Sequence, residues 1–360
     1  MPPLSLPPRS LRVAAAVAAA LVLAANPVAE ALRLKYWAEG WGPRKLHTLQ
    51  TSGLAPEVLI LGSSRMDAAL IAGRIERSVG RALRRPIVAY NAAQAASGAS
   101  EPIWVLSDVV ASNGCPDVVV VDVHVEGLSV ESERLLASLA VYAPLTDFPR
   151  VLPHILLDPE RLDAFLGIPF RGFANLARAL VESPRSRRAE KLARVFVGRR
   201  GSRYWPSGSS PSAAPEESLA SRSRRDRERE ARGRRRFLID EHHLDRFALG
   251  GLPAANLERL ADRAAACGAG LVLVELPTRY RMREWGFGEA EAAARAFVAA
   301  FAARRGATHL DLARTLEPLA DEDFFDLSHL SFRGAVKASD AVVPAIVEAL
   351  RSVAERQPNA

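Results

Sequence analysis

Residues 57–66 read EVLILGSSRM. The uninterrupted apolar run from Val58 to Leu61 has the length and composition of a strand buried on both faces. It stops at Gly62-Ser63-Ser64, after which Met66, Leu70, Ile71 and Ile75 recur at helical spacing as far as Val79. A buried strand that turns through glycine into a helix is the repeating unit of a parallel sheet covered by helices.

The same alternation continues down the chain. IVAY, Ile87 to Tyr90, reads as a second strand. A loop from Asn91 to Ser100 follows, then a helix carrying Ile103, Trp104, Leu106 and Val110 on its apolar side and closed by Asn113-Gly114. VVVVDV, Val118 to Val123, is the most apolar strand and suits the centre of a parallel sheet. Regularity then lapses over an insertion, residues 128–250, with weak helical patterns around 135–141 and 173–181. It resumes with a helix from Asn256 to Cys267, a strand from Leu271 to Leu276, a helix from Glu289 to Arg305 and a fifth strand, Thr308 to Leu312. The last helix carries Val342, Val343, Ile346, Leu350 and Val353, with Pro344 expected to kink or restart it. Strands and helices in this order predict a three-layer α/β/α domain of flavodoxin-like type with a five-stranded parallel sheet. Ligands of such sheets sit beyond the carboxyl ends of the strands.

The 360 residues are 49% hydrophobic, ample for a large core, so a wholly disordered or fibrous chain is excluded. Its formal charge of +7 is unevenly spread. Residues 183–236 hold 17 basic and 6 acidic side chains, a net of +11, which leaves the remainder mildly acidic at −4. The charge therefore belongs to one segment and does not imply nucleic-acid binding. With few apolar groups to offset ordering entropy, 183–236 is expected to be largely disordered and dispensable, a solvated linker or a contact for an anionic surface. At the other end, Arg9 and Arg12 precede an uncharged run from Val13 to Ala29. Residues 1–30 therefore read as a signal peptide or membrane anchor, and residues 31–360 as one domain outside the cytoplasm.

Two cysteines, Cys115 and Cys267, are too few for a zinc ribbon. They precede the third and fourth strands by nearly equal offsets, which admits either a bridge between neighbouring strands or two unpaired thiols. No cofactor is expected, because neither GxGxxG nor GxxxxGK[ST] follows the first strand. His242-His243, beside Asp240 and Glu241, reads as a solvated junction and not as a metal site.

Two strand-end loops carry nucleophilic chemistry. Ser64 stands at a strand-to-helix turn, where a hydroxyl is exposed and its own backbone N–H points toward a developing oxyanion. FFDLSHLSFRGA places Asp326 and His329 three apart just before the last helix. There His329 is positioned to accept the Ser64 proton and Asp326 to orient the imidazole. Arg65 is a candidate contact for a substrate carboxylate or phosphate, or a partner for Asp67. Arg279, Tyr280 and Arg281 leave the fourth strand toward the same edge.

Gly62-Ser63-Ser64 and Asp326-x-x-His329 resemble the SGNH or GDSL-like hydrolase superfamily, and the order of elements between them is similar over about Val58 to Ala349 outside the insertion. The resemblance implies Ser64 as nucleophile with His329 and Asp326. It implies an oxyanion site from Asn91 and Gly98, with Ala96 or Ser97 as alternative donors because the spacing is long. Where the superfamily has Gly-x-Asn-Asp after the third strand, this chain has His124-Val125-Glu126-Gly127. An ionised Glu126 cannot donate a hydrogen bond, so the site is expected to rely on backbone N–H groups, Asn91 or His124. Tethered envelope members act on O-acyl groups of glycans or on D-alanyl esters, which implies an acylated small molecule or glycan as substrate. A binding or assembly protein that keeps the fold without turnover is the competing reading, and a phosphate binder at Ser63-Ser64 a weaker third.

Overall fold

A computed structural model of the chain describes residues 41–93, 98–130, 147, 218–316 and 318–356. Five parallel strands, β1 (Val58–Leu61), β2 (Ala89–Asn91), β3 (Val118–Asp122), β4 (Gly270–Glu275) and β5 (Thr308–Asp311), form one sheet in the order β2-β1-β3-β4-β5. Val58 pairs with both Ala89 and Val118, Val118 with Gly270, and Val272 with Thr308. Every residue of β1 and β3 is buried, whereas the edge strand β5 is half-buried throughout. That gradient is what valine-only composition in the middle and THLD at the edge require.

The helices are α1 (Trp41–Ser52), α2 (Ser64–Ala69), α3 (Ala72–Leu83), α4 (Pro102–Asn113), α5 (Val125–Leu128), α6 (Arg224–Asp240), α7 (Gly251–Ala266), α8 (Gly288–Arg305), α9 (Leu312–Thr315) and α10 (Phe332–Arg356). They pack in two groups: α10 against α2, α3 and β4, and α4 against α1 and α7. Right-handed crossovers put helices on both faces of such a sheet, and the packing is consistent with three layers. α10 runs through Pro344 as one helix, with no restart there. Its apolar stripe is buried on both sides of the proline, so packing offsets the one backbone bond that proline removes.

Cys115 and Cys267 form a disulfide with Cα atoms 5.4 Å apart. Cys115 precedes β3 and Cys267 caps α7 ahead of β4, and those strands are neighbours, so the bridge lies at the amino edge of the sheet, opposite the strand ends that carry Ser64 and His329.

The basic segment departs from expectation. From residue 218 it is ordered, and α6 occupies Arg224–Asp240 with Ser223 capping the N–H of Asp226. Leu219 and Leu238 are buried in the main core. Composition underrates such a helix because a few long-range contacts decide it: Arg227 reaches Asp321 at 2.5 Å and Arg234 reaches Glu126 at 2.7 Å. His242, just beyond it, is buried and packs edge-on against Phe237, so that junction is not solvated. Among the described residues no helix is long and apolar enough to cross a membrane. The run from Val13 to Ala29, the patterns at 135–141 and 173–181, and the first part of the basic segment lie outside the described residues.

Candidate active site

The site begins at the turn after β1. Gly62 has φ +136°, and a Cβ there would lie 1.8 Å from Asp122 Oδ1. Glycine is therefore needed for a carboxylate to approach, and Asp122 at the end of β3 uses the approach fully. It accepts from Ser63 N–H at 3.0 Å and from Ser63 Oγ at 2.6 Å. Ser63 in turn caps α2 by accepting from Arg65 N–H. The first serine of the pair is thus buried and bonded, which leaves Ser64 as the one facing out of the turn.

The second half of the site hangs from the start of α10. Ser331 accepts from Gly334 N–H at 3.3 Å and its hydroxyl donates to Glu322 O at 2.6 Å. A Cβ on Gly334 would sit 2.1 Å from Asp323 O, so α10 enters close against the preceding loop only because glycine stands there. Between Phe324 and Leu330, which bridge in antiparallel fashion, the chain folds back on itself. Asp326 Oδ1 accepts from the backbone N–H of Ser328 at 2.7 Å and of His329 at 2.8 Å.

These two loops meet. Ser64 Oγ lies 2.9 Å from His329 Nε2, and His329 Nδ1 lies 2.8 Å from Asp326 Oδ2. Burial acts to raise the Asp326 pKa, but the His329 ring and the two backbone N–H groups outweigh it and hold the carboxyl below its ordinary value. An ionised Asp326 only accepts, so the imidazole proton sits on Nδ1 and Nε2 is left to accept from the Ser64 hydroxyl. This is the arrangement in which a serine loses its proton as it attacks a carbonyl carbon.

Helix α6 and the turn that leads into it, residues 219–222, brace the Asp326 loop from outside. Leu327 N–H donates to Glu230 Oε1 at 3.0 Å, Leu219 N–H donates to Phe324 O at 2.7 Å, and the Arg222 guanidinium lies 5.2 Å above the Phe325 ring. Nothing local in the sequence announces these contacts, since each spans roughly a hundred positions.

The expected oxyanion donors are placed otherwise. Asn91 is fully buried, its Nδ2 donates to Leu70 O at 2.8 Å and its Oδ1 accepts from Ala93 N–H. It ties β2 to α2 and has no donor left for a substrate. Gly98 N–H donates to Glu101 Oε2 at 2.6 Å. Ala96 and Ser97 lie outside the described residues. Ser64 N–H, at the first position of α2, has no helical partner and makes no hydrogen bond among the described residues. His124 lies beside Asp122, 3.5 Å from its Oδ2.

Glu126 is part of a buried cluster below the loops. Arg234 Nη2 donates to both of its oxygens at 2.7 Å, and the Tyr280 hydroxyl donates to Oε1 at 2.7 Å. Burial works to raise the Glu126 pKa, yet the charges of Arg234, His242, Arg65 and His124 hold it well below the usual carboxylate range. Tyr280 is stacked on Trp285 at 4.4 Å, and burial with the neighbouring Glu126 charge raises its pKa. Glu126 is therefore spent on attaching α6, and Tyr280 on the same task. Arg279 pairs with Asp321, and its backbone N–H donates to Leu327 O at 3.0 Å. Arg65 does not pair with Asp67, which Lys45 holds; it is buried and donates from Nη2 to Leu276 O at 2.7 Å.

Arg65, His124, Tyr280 and Arg281 line a cavity of about 290 Å³ beyond the carboxyl ends of β3 and β4. Among the described residues no three His, Cys, Asp or Glu side chains are grouped to hold a metal ion. No family model matches the chain, and no curated protein matches it.

Proposed function

We propose that the chain is a serine esterase or O-acyltransferase of the SGNH or GDSL-like kind, its sheet the flavodoxin-like core of that fold. The observation that carries the reading is the continuous relay from Ser64 Oγ through His329 to Asp326, with steps of 2.9 and 2.8 Å. Two loops separated by 265 positions supply it at one edge of the sheet. In the reaction Ser64 Oγ attacks the ester carbonyl while its proton passes to His329 Nε2. The alcohol leaves with that proton, and water or a sugar hydroxyl then takes the acyl group from Ser64. Ser64 N–H, which makes no hydrogen bond among the described residues, is left to serve the oxyanion. The substrate is an acyl ester of an extracytoplasmic molecule, a cell-envelope glycan by the resemblance to tethered members. Export is supported by the apolar run after Arg9 and Arg12 and by the Cys115–Cys267 bridge, which an oxidising compartment lets persist.

A second reading, a fold-keeping binding protein without turnover, draws on the commitment of Asn91, Gly98 and Glu126 to structural bonds. Losing one oxyanion donor costs about 10² to 10³ in rate. A fluorophosphonate probe separates the two, because only an activated serine reacts. The chain is expected to label, and Ser64→Ala to abolish labelling with an unchanged melting temperature. A wild-type protein that stays unlabelled overturns the hydrolase reading. Ser63 cannot substitute, since its hydroxyl is held by Asp122 at 2.6 Å.

A further inference from the structure

The cavity beyond β3 and β4 has an unusual charge inventory. Five arginines line it, Arg65, Arg281, Arg283, Arg295 and Arg314, against two glutamates, Glu275 and Glu291. Both glutamates are consumed by one cation: Arg295 lies 3.5 Å from Glu275 and 3.3 Å from Glu291. Glu275 is further bound to His309 at 2.8 Å. Arg281 approaches Glu284 no closer than 3.9 Å, on the open surface. Arg283 and Arg314 have no ion pair or side-chain hydrogen bond among the described residues.

The inner wall is more telling than the rim. Arg65 is only 6% exposed, and while Nη2 donates to Leu276 O, its Nε is buried without a hydrogen-bond partner. Glu126 and Asp122 stand behind it and hold their own charges with its help. At about 290 Å³ the space is close to the lower end of small-molecule sites, which span about 300 to 1,000 Å³.

We infer that this cavity is an anion subsite: it takes a carboxylate or phosphate, with Arg65 at its inner wall and Arg283 and Arg314 at its mouth. Planar guanidinium groups converging from separate elements, the α2 turn, the loop after β4 and α9, match the forked acceptors of those groups. Arg65 follows the nucleophile directly in the chain. On the hydrolase reading, on which this step rests, the natural substrate is therefore an acyl ester carried on an anionic molecule, a carboxylated or phosphorylated glycan over a neutral one.

Titration calorimetry of the full chain with phenyl phosphate, benzoate and phenol tests the subsite without requiring turnover. The two anions are expected to bind at least tenfold more tightly than phenol, with the stronger of the two naming the anion. Arg283→Gln with Arg314→Gln, both at exposed positions, is expected to weaken that binding by about tenfold or more, as loss of charge-assisted bonds implies. Anions that bind no better than phenol, or that bind the double variant equally well, overturn the subsite. Fluorophosphonate labelling is read in parallel, so a labelled serine with no anion binding sinks the subsite alone, and anion binding on an unlabelled chain keeps the subsite while removing the hydrolase. With labelling intact, 4-acetoxybenzoate is expected to be cleaved with higher kcat/KM than its methyl ester, and that ratio to fall toward one in the double variant. A ratio of one in the wild type overturns the substrate class.

Discussion

The Asp326–His329 pair and the Glu126–Arg234 pair both set a carboxylate against a basic side chain, and they differ in reach and in burial. Asp326 and His329 are three positions apart and a quarter or more exposed, whereas Glu126 and Arg234 are 108 apart and Glu126 is 4% exposed. The first pair is folded by its own loop, through the Ser328 and His329 N–H groups, so it stands at the surface ready to exchange a proton. The second is desolvated and charged at once, which is tolerable only because Arg234 and Tyr280 saturate one oxygen and Arg234 reaches the other. Local charge pairs are free to do chemistry; distant buried ones hold elements together.

The largest expected effect separates the two roles. Asp326→Asn keeps a side chain of the same shape but can donate to Nδ1, which stabilises the wrong tautomer and leaves Nε2 protonated. Activity on an aryl ester is expected to fall by on the order of 10⁴, while the melting temperature holds. A loss of tenfold or less would mean that His329 is oriented by something other than Asp326.

Next in size is the buried pair. Arg234→Leu strands the Glu126 charge and is expected to cost about 3 to 5 kcal/mol in denaturant unfolding. Combining it with Glu126→Leu is expected to recover much of that, because a buried ion pair replaced by apolar groups is often near neutral. A double variant as unstable as the single one would show that the loss comes from packing of α6 and not from the unpaired charge. Since Leu327 N–H donates to Glu230 of the same helix, the single variant also loosens the Asp326 loop and lowers labelling by the probe.

The same contrast decides what was legible in the sequence. Short-range patterns were: the buried valines of β3, the glycine turn before Ser63, the Asp-x-x-His spacing and the equal offsets of Cys115 and Cys267 all depend on a few neighbouring positions. Asn91 and Gly98 were misplaced because a residue type at a motif position says nothing about whether its donors are already used. Asn91 gives its N–H groups to Met66 O and Leu70 O, and Gly98 to Glu101. The basic helix was missed because average composition hides the two or three side chains that bind it. Arg234 is one arginine among many in RRDREREARGRRRFLID, and only the fold identifies it as the partner of Glu126. One signal was available: Leu238 and Ile239 follow the charges directly, and Glu126 stood unexplained where an asparagine was expected.

The smallest effect is one of pH. The Glu126 pKa is held well below its ordinary value in the fold, while in the unfolded chain it returns to about 4.3. A depressed folded pKa means that the ionised carboxylate is the form the fold favours. Its contribution is therefore complete above the unfolded value and is lost as pH falls through the folded one. Glu126→Gln does not titrate, so its stability deficit against wild type is expected to be constant from about pH 6 to 8, where the wild-type carboxylate is ionised in both states. Below about pH 4 the deficit is expected to shrink by up to about 1.4 kcal/mol per pH unit. Asp122, Asp323 and Asp326 also have depressed pKa values and destabilise both proteins alike in acid, so they cancel in the difference. Urea unfolding of the two proteins across that range measures it directly. A deficit that stays flat down to pH 3 would mean that Glu126 titrates alike in the folded and unfolded chain and contributes through shape alone, and a deficit that grows in acid would put the pKa shift in the opposite direction.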